Sequence, residues 1–118
     1  MEPEFFIFPE ECAQAVDETR RRGGRVISVG TTCCRVLETV ARSEKLAPAS
    51  GWTDLYIRPP FQFRLVDALI TNFHLPRSTL LVLVSAFAGL QVVLRAYSQA
   101  IADGYRFYSY GDAMFIQD

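Results

Sequence analysis

The sequence predicts an α/β domain, a single compact unit with a short mixed sheet flanked by about four helices. Three observations predict it. A polar helix, a short β-branched run and a second helix follow one another from Glu10 to Val40. Apolar runs rich in strand formers crowd the stretch from Leu55 to Phe73, and two further amphipathic helical segments occupy the chain between Ser78 and Asp103. Helices alternating with strands in this way characterise α/β architecture.

Glu10 to Arg22 is expected to be helical, with Pro9 at its first position, Glu10 and Glu11 at its start and Arg20, Arg21 and Arg22 at its end. Acids at the N-terminus and bases at the C-terminus suit the helix dipole. Gly23 and Gly24 stop it. Arg25 to Gly30 (RVISVG) reads as a short strand, and Cys33, Val36, Leu37 and Val40 then fall at helical spacing. Ala47 to Thr53 (APASGWT) is rich in turn formers and is expected to be the longest loop. Strand-like runs follow at Leu55 to Ile57, Phe61 to Val66 and Ala68 to Phe73, separated by Pro59-Pro60 and by Asp67. Ser78 is placed to cap a core helix from Leu80 to Phe87, and Gly89 separates it from a second helix. In the latter, Val93, Ala96, Tyr97, Ala100 and Ile101 form the expected buried stripe, opposite Arg95, Ser98, Gln99 and Asp103. Gly104 ends it. The tail from Tyr105 alternates like a strand, turns at Gly111-Asp112 and finishes on Ala113 to Ile116.

At 118 residues, half of them apolar, the chain fits one domain with its own core. The apolar stretch Leu80 to Leu94 is broken by Ser85, Gly89 and Gln91. It falls short of the ~20 residues of a membrane span. The acidic start MEPEFFIFPEE lacks a basic signal-peptide region, so a cytoplasmic location is expected. Cys12, Cys33 and Cys34 are an odd number with two adjacent, which suits neither a bridge between neighbours nor a tetrahedral metal site. All three are expected to be reduced thiols in or near the core. A net charge of −1 gives no general attraction to nucleic acid, so any contact with RNA must be local.

Three polar clusters carry potential chemistry. Gly30-Thr31-Thr32 stands between a strand and a helix, where backbone amides and hydroxyls can hold an anion; a threonine there can equally serve as an ordinary cap. The cluster has neither a dinucleotide fingerprint nor a P-loop. Thr71-Asn72-Phe73-His74 ends a strand, the position at which α/β proteins bind ligands. His74 is the sole histidine and therefore the sole imidazole base, or else a residue that locks a turn. Tyr108-Ser109-Tyr110-Gly111-Asp112 combines stacking surfaces with a carboxylate, or forms a turn in which Asp112 bonds its own backbone. Arg35 and Arg77 are candidate partners for phosphate or carboxylate, if not solvated surface residues. Asp67 is either an acid/base group with a perturbed ionisation or the mark of a bulge.

Read together, RVISVGTTCCRVLET, GWTDLYIRP, FQFRLVDALITNFHLPRSTLLVLVSAFAG and YRFYSYGDAMFI resemble the C-terminal portion of the S-adenosylmethionine:tRNA ribosyltransferase-isomerases of queuosine synthesis. The resemblance covers nearly all of the chain after about residue 25, and the LITNFHLPRSTL and YGDAM portions are long and unusual. It implies a two-domain parent enzyme, of which residues 1–118 are the C-terminal part of the α/β domain, with an upstream region and a β-rich inserted domain outside them. It also implies transfer of the ribosyl part of S-adenosylmethionine, as co-substrate and with no prosthetic group or metal, to 7-aminomethyl-7-deazaguanine in tRNA. Epoxyqueuosine forms and adenine and methionine leave.

On this resemblance His74, Asp67 and Asp112 become general acid/base candidates. Gly30, Thr31, Thr32 and Arg35 become binding residues for S-adenosylmethionine or a tRNA phosphate, while Tyr108 and Tyr110 become stacking residues for adenine or the deazaguanine. Thr71, Asn72, Phe73, Arg77, Ser109 and Gly111 complete the expected substrate-binding set. The opening MEPEFF resembles an upstream H-x-M-x-x-E stretch, with Glu4 at the acid's position and no histidine. Cys33-Cys34 and Leu90-Gln91 depart from the family, which has serine or valine-like residues at the first pair and charged residues at the second. A fragment inactive alone, a binding module for S-adenosylmethionine or RNA, and a domain without a ligand are the three readings left open.

Overall fold

A computed structural model of the chain describes residues 2–43, 45–74, 78–107 and 111–117. The element order is β1 (Glu4–Phe8), α1 (Glu10–Arg21), β2 (Ile27–Val29), α2 (Thr31–Val40), β3 (Ala49–Thr53), β4 (Ala68–Asn72), α3 (Thr79–Ala88), α4 (Leu90–Ala102) and β5 (Ala113–Gln117). The four expected helices form, but the strands divide into two sheets. One is mixed, in the order β2-β4-β5; the other is an antiparallel pair of β1 with β3.

The mixed sheet positions most of the polar clusters. β2 and β4 run parallel, with Val29 beside Ile70, and β5 returns antiparallel, with Phe115 beside Ile70 and Ala113 beside Asn72. The carboxyl ends of β2 and β4 and the amino end of β5 therefore share one edge. Alternation sends Ser28, Leu69, Thr71, Met114 and Ile116 inward, where they meet the core of Cys34, Leu37, Leu83, Val84, Val93 and Tyr97.

Local chemistry explains the helix boundaries. The charges of α1 sit as expected, Asp17 and Glu18 pair with Arg21 and Arg22 one turn on, and Gly23 closes the helix at φ 73°. Ser78 caps α3 by accepting the Leu81 N–H at 3.1 Å. Gly89 breaks α3 from α4 at φ 92°, a conformation that only glycine adopts without strain, and the two helices meet at 115°. No single helix among the described residues is long and apolar enough to cross a membrane.

Several expectations are corrected. Ala49–Thr53 is a strand and not part of a loop, because β1, unexpected from the sequence, lies alongside it in register from Glu4–Thr53 to Phe8–Ala49. Leu55 to Ile57 and Phe61 to Val66 are irregular. The amides of Arg64, Leu65 and Val66 are taken by the buried Glu38 carboxylate, at 2.9, 3.0 and 2.9 Å, so no neighbouring strand can receive them. In α4, Val93, Tyr97 and Ala100 are buried as expected but Ala96 and Ile101 are exposed. Of the cysteines only Cys34 is in the core; Cys12 and Cys33 are exposed, and all three are free thiols.

Candidate functional site

The shared edge of the mixed sheet gathers most of the polar clusters. Gly30 leaves β2 by donating its N–H to Ile70 O at 2.7 Å, which ties the start of α2 to β4. Its φ of 94° and ψ of 154° lie in a region essentially restricted to glycine. Gly30, and not a threonine, is the N-cap: neither Thr31 nor Thr32 caps with its side chain. The first amides of α2 thus stand without a side-chain cap at the strand end, where the helix dipole favours an anion. Thr31 is buried and Thr32 exposed.

Thr32 Oγ1 donates to both oxygens of Glu4, at 3.3 and 3.1 Å, and Arg35 Nη1 meets Glu4 Oε1 at 2.6 Å. The Arg35 side chain is only 1% exposed, whereas that of Glu4 is 40% exposed. Arg35 also donates to Leu55 O and Thr53 O. The guanidinium is therefore an internal brace whose visible outlet is the Glu4 carboxylate: of the two alternatives open in the sequence, it is not the solvated surface residue. Glu4, Arg35, Thr79 and Leu80 line a small cavity of about 340 Å³.

At the end of β4, Asn72 Nδ2 donates to Asp112 O at 3.3 Å, and Asp112 Oδ2 accepts the Arg106 N–H at 2.6 Å. Gly111, beside Asp112, has φ 131°. His74 is half-buried. Its backbone N–H donates to Tyr97 Oη at 2.8 Å, and its Nε2 lies 2.9 Å from Thr71 Oγ1. Burial holds the imidazole below its ordinary pKa and pushes the Tyr97 phenol up, the bond from His74 N partly offsetting the latter. Burial thus favours the neutral imidazole, whose Nε2 stands against Thr71.

Two expected site residues have other work. Phe73 is 4% exposed and packs against Tyr97, Tyr105 and Phe107, so it belongs to the core beneath the site. Asp67 lies at the opposite end of β4 from His74. Its Oδ2 accepts the Val26 N–H at 2.8 Å while its own N–H donates to Val26 O at 2.9 Å, so it clamps the start of β2 to β4. Thr71 is buried and supports His74. Arg77, Tyr108, Ser109 and Tyr110 lie outside the described residues.

Tyr97 was expected only as part of a buried stripe, and Glu38 went unassigned in the sequence. The signal for each was a polar group inside an apolar helical stripe: a phenol between Val93 and Ala100, and an acid between Leu37 and Val40. Among the described residues no group of three His, Cys, Asp or Glu is placed to hold a metal ion.

A profile of the family described as queuosine biosynthesis protein matches residues 1–116. The chain is 56% identical over 117 residues to a Caldanaerobacter subterraneus subsp. tengcongensis protein named S-adenosylmethionine:tRNA ribosyltransferase-isomerase. That alignment takes in 98% of this chain and 34% of the relative. A Thermotoga maritima protein of the same name is 56% identical over 116 residues, 98% of this chain and 35% of the relative. The crystal structure of an S-adenosylmethionine tRNA ribosyltransferase from Thermotoga maritima superimposes with a TM-score of 0.92 at 56% identity, over 95% of this chain and 40% of that one. The chain thus spans about a third of the length of the curated relatives it matches.

Proposed function

The chain belongs to the queuosine biosynthesis protein family, and from that premise we propose that it is the C-terminal α/β portion of an S-adenosylmethionine:tRNA ribosyltransferase-isomerase. The observation that carries this reading is the convergence of the α2 N-terminus, the His74 turn and Asp112 on one sheet edge, in a chain 56% identical to enzymes of that name. The reaction moves the ribosyl part of S-adenosylmethionine to 7-aminomethyl-7-deazaguanine in tRNA, with loss of adenine and methionine. S-adenosylmethionine is a co-substrate, and no prosthetic group is invoked.

A base must remove a proton made acidic by the neighbouring sulfonium. His74 suits the task because burial favours its unprotonated form. In the tautomer that donates Nε2–H to Thr71 Oγ1, Nδ1 carries the lone pair that accepts the proton. Asp112, at the start of β5, is the second acid/base group. Gly30, Thr31 and Thr32 offer the α2 N-terminus to the substrate's carboxylate or to a tRNA phosphate. Glu4, braced by Arg35 and Thr32, presents a carboxylate to a cationic substrate group. Asn72 fixes the Asp112 backbone. Tyr108, Tyr110, Ser109 and Gly111 are assigned to the base being modified or to adenine, and Arg77 to a phosphate. Asp67 and Phe73 act only as supports.

The test supplies this chain with the part of the Thermotoga maritima relative that lies outside the matched residues, together with precursor-bearing tRNA and S-adenosylmethionine. Mass spectrometry should find epoxyqueuosine in the tRNA and free adenine in equal amount. An assembled complex that releases no adenine removes the assignment. The second reading is a binding module without catalysis, supported by the uncapped α2 N-terminus. Saturable, salt-dependent binding of tRNA or S-adenosylmethionine by this chain alone would support that reading.

A further inference from the structure

Charge is divided unevenly between the two ends of the mixed sheet. The end that carries the site adjoins the carboxylates of Glu4 and Asp112. The opposite end gathers six of the chain's 12 lysines and arginines. α1 and its cap bring Arg20, Arg21 and Arg22 there, Arg25 leads into β2, Arg42 follows α2 and Arg64 precedes β4. Hydrogen bonds tie these positions together. Arg25 Nη1 donates to Gln117 Oε1, at the end of β5, at 2.7 Å. Glu38 Oε1 accepts both the Arg64 amide at 2.9 Å and Arg42 Nη1 at 3.4 Å. All six arginines are exposed, and their charge is poorly offset. Arg21 and Arg22 have only the exposed Asp17 and Glu18 as partners, and surface pairs of that kind contribute little. Glu38 is buried and shares its carboxylate among three amides, while Asp67 accepts the Val26 N–H. Among the described residues Arg20, Arg25 and Arg64 form no ion pair. This end is therefore positive in a chain whose net charge is −1.

We propose that this arginine-rich end holds the sugar-phosphate backbone of the tRNA whose base occupies the site at the other end of the sheet. The residue type points to the partner. All six cations are arginines, whose planar guanidinium forks match phosphate oxygens two at a time. The distance fits as well. α2 runs from the site to this end in 10 residues, a length of ~15 Å that a few nucleotides of the same RNA span. Contacts of this kind fix the orientation of the RNA and leave its sequence unread. The inference rests on the tRNA-modifying reading and adds to it where the RNA lies. Its test reads binding of unmodified tRNA, so a failure here leaves the reaction itself to be judged by adenine release.

The experiment titrates fluorescently labelled, unmodified tRNA with this chain over a series of sodium chloride concentrations and reads anisotropy. Arg25→Ala and Arg64→Ala combined should raise Kd about tenfold at ~0.1 M salt and flatten the slope of log K against log salt by about 1–2, because each phosphate contact contributes ~0.7–0.9 to it. Arg25→Lys and Arg64→Lys combined should keep most of the slope. Arg95→Ala removes an equal charge from α4, beside Tyr97, and should change neither quantity. Circular dichroism of each variant checks that it folds. As a variant-free measurement, tRNA should slow amide hydrogen exchange across residues 20–25 of the unmodified chain. Absence of tRNA binding, a double alanine variant that binds as the unmodified chain does, an equal loss from Arg95→Ala, or unaltered exchange across residues 20–25 would overturn the proposal. So would phosphatidylserine vesicles that bind the chain more tightly than tRNA does and lose it in the double alanine variant, because a lipid surface would then be the occupant.

Discussion

His74 illustrates how one residue's surroundings decide its chemistry. Burial lowers its pKa from 6.5, so the unfolded chain binds the proton more tightly than the folded one. Stability must therefore fall as pH drops below about 6.5 towards the lowered folded value, and be free of this penalty above it. Melting curves at stepped pH should show the unmodified chain losing more stability in that window than His74→Asn. Parallel pH dependences would mean that no neutral imidazole is buried there. In a complete family enzyme His74→Ala should lower turnover by roughly 10²–10⁴-fold, the usual contribution of a general base, while the melting temperature changes little. Unchanged turnover with a lowered melting temperature would make the residue structural. The cysteines provide a simpler check. Cys34 is fully buried and its thiol is pushed up to about 12, by burial first and then by Glu38 and Cys33. Iodoacetamide should modify Cys12 and Cys33 in the native chain and Cys34 only after denaturation, as peptide mass spectrometry would record. Sequence distinguished His74 as the sole imidazole; it could not tell the exposed thiols from the buried one, because exposure depends on what packs over a helix.

At the scale of elements, Glu38 holds the irregular stretch before β4 to α2. Its carboxylate receives three backbone amides and the Arg42 guanidinium, the last at 3.4 Å. Glu38→Ala would leave those donors without their partner, and each unsatisfied buried group costs about 1–3 kcal/mol. Urea unfolding should therefore show a loss of about 3 kcal/mol or more. A loss under ~1 kcal/mol would mean that water replaces the carboxylate without cost. The same contact explains why Phe61 to Val66 looked like a strand. Its composition favours one, but a strand needs a neighbour for its amides, and here a side chain from 26 residues upstream takes the Arg64 amide. The converse holds for β3: ASGWT is a poor strand by composition and becomes one because β1 pairs with it along its whole length.

At the scale of the whole molecule, Phe5, Ile7, Trp52, Val29, Phe115 and Ile101 are all at least half exposed. The radius of gyration of 14.7 Å exceeds the roughly 13.5 Å of a compact domain of equal length. On the proposed reading residues 1–118 supply only the C-terminal part of the enzyme's site, and by themselves they should show no ribosyl transfer. Mass-spectrometric detection of epoxyqueuosine in precursor-bearing tRNA incubated with this chain and S-adenosylmethionine would overturn that expectation.

The amino-acid sequence by itself determined the helices, the β2 and β4 strands, and the polar clusters at Gly30-Thr31-Thr32 and Thr71 to His74. These are local matters of periodicity, caps and turn residues, and the family resemblance lies in the same continuous runs. Only the tertiary structure decided that Asp67 is a clamp, that Phe73 is core, that Arg35 is an internal brace for Glu4, and that Ala49–Thr53 is a strand. Each of those outcomes depends on a partner dozens of residues away, whose position is set by chain topology and not by local spacing. The run that identifies the family thus divides at Phe73: on one side lies a histidine fixed by Thr71 and Tyr97, on the other the apolar floor that holds Tyr97 in place.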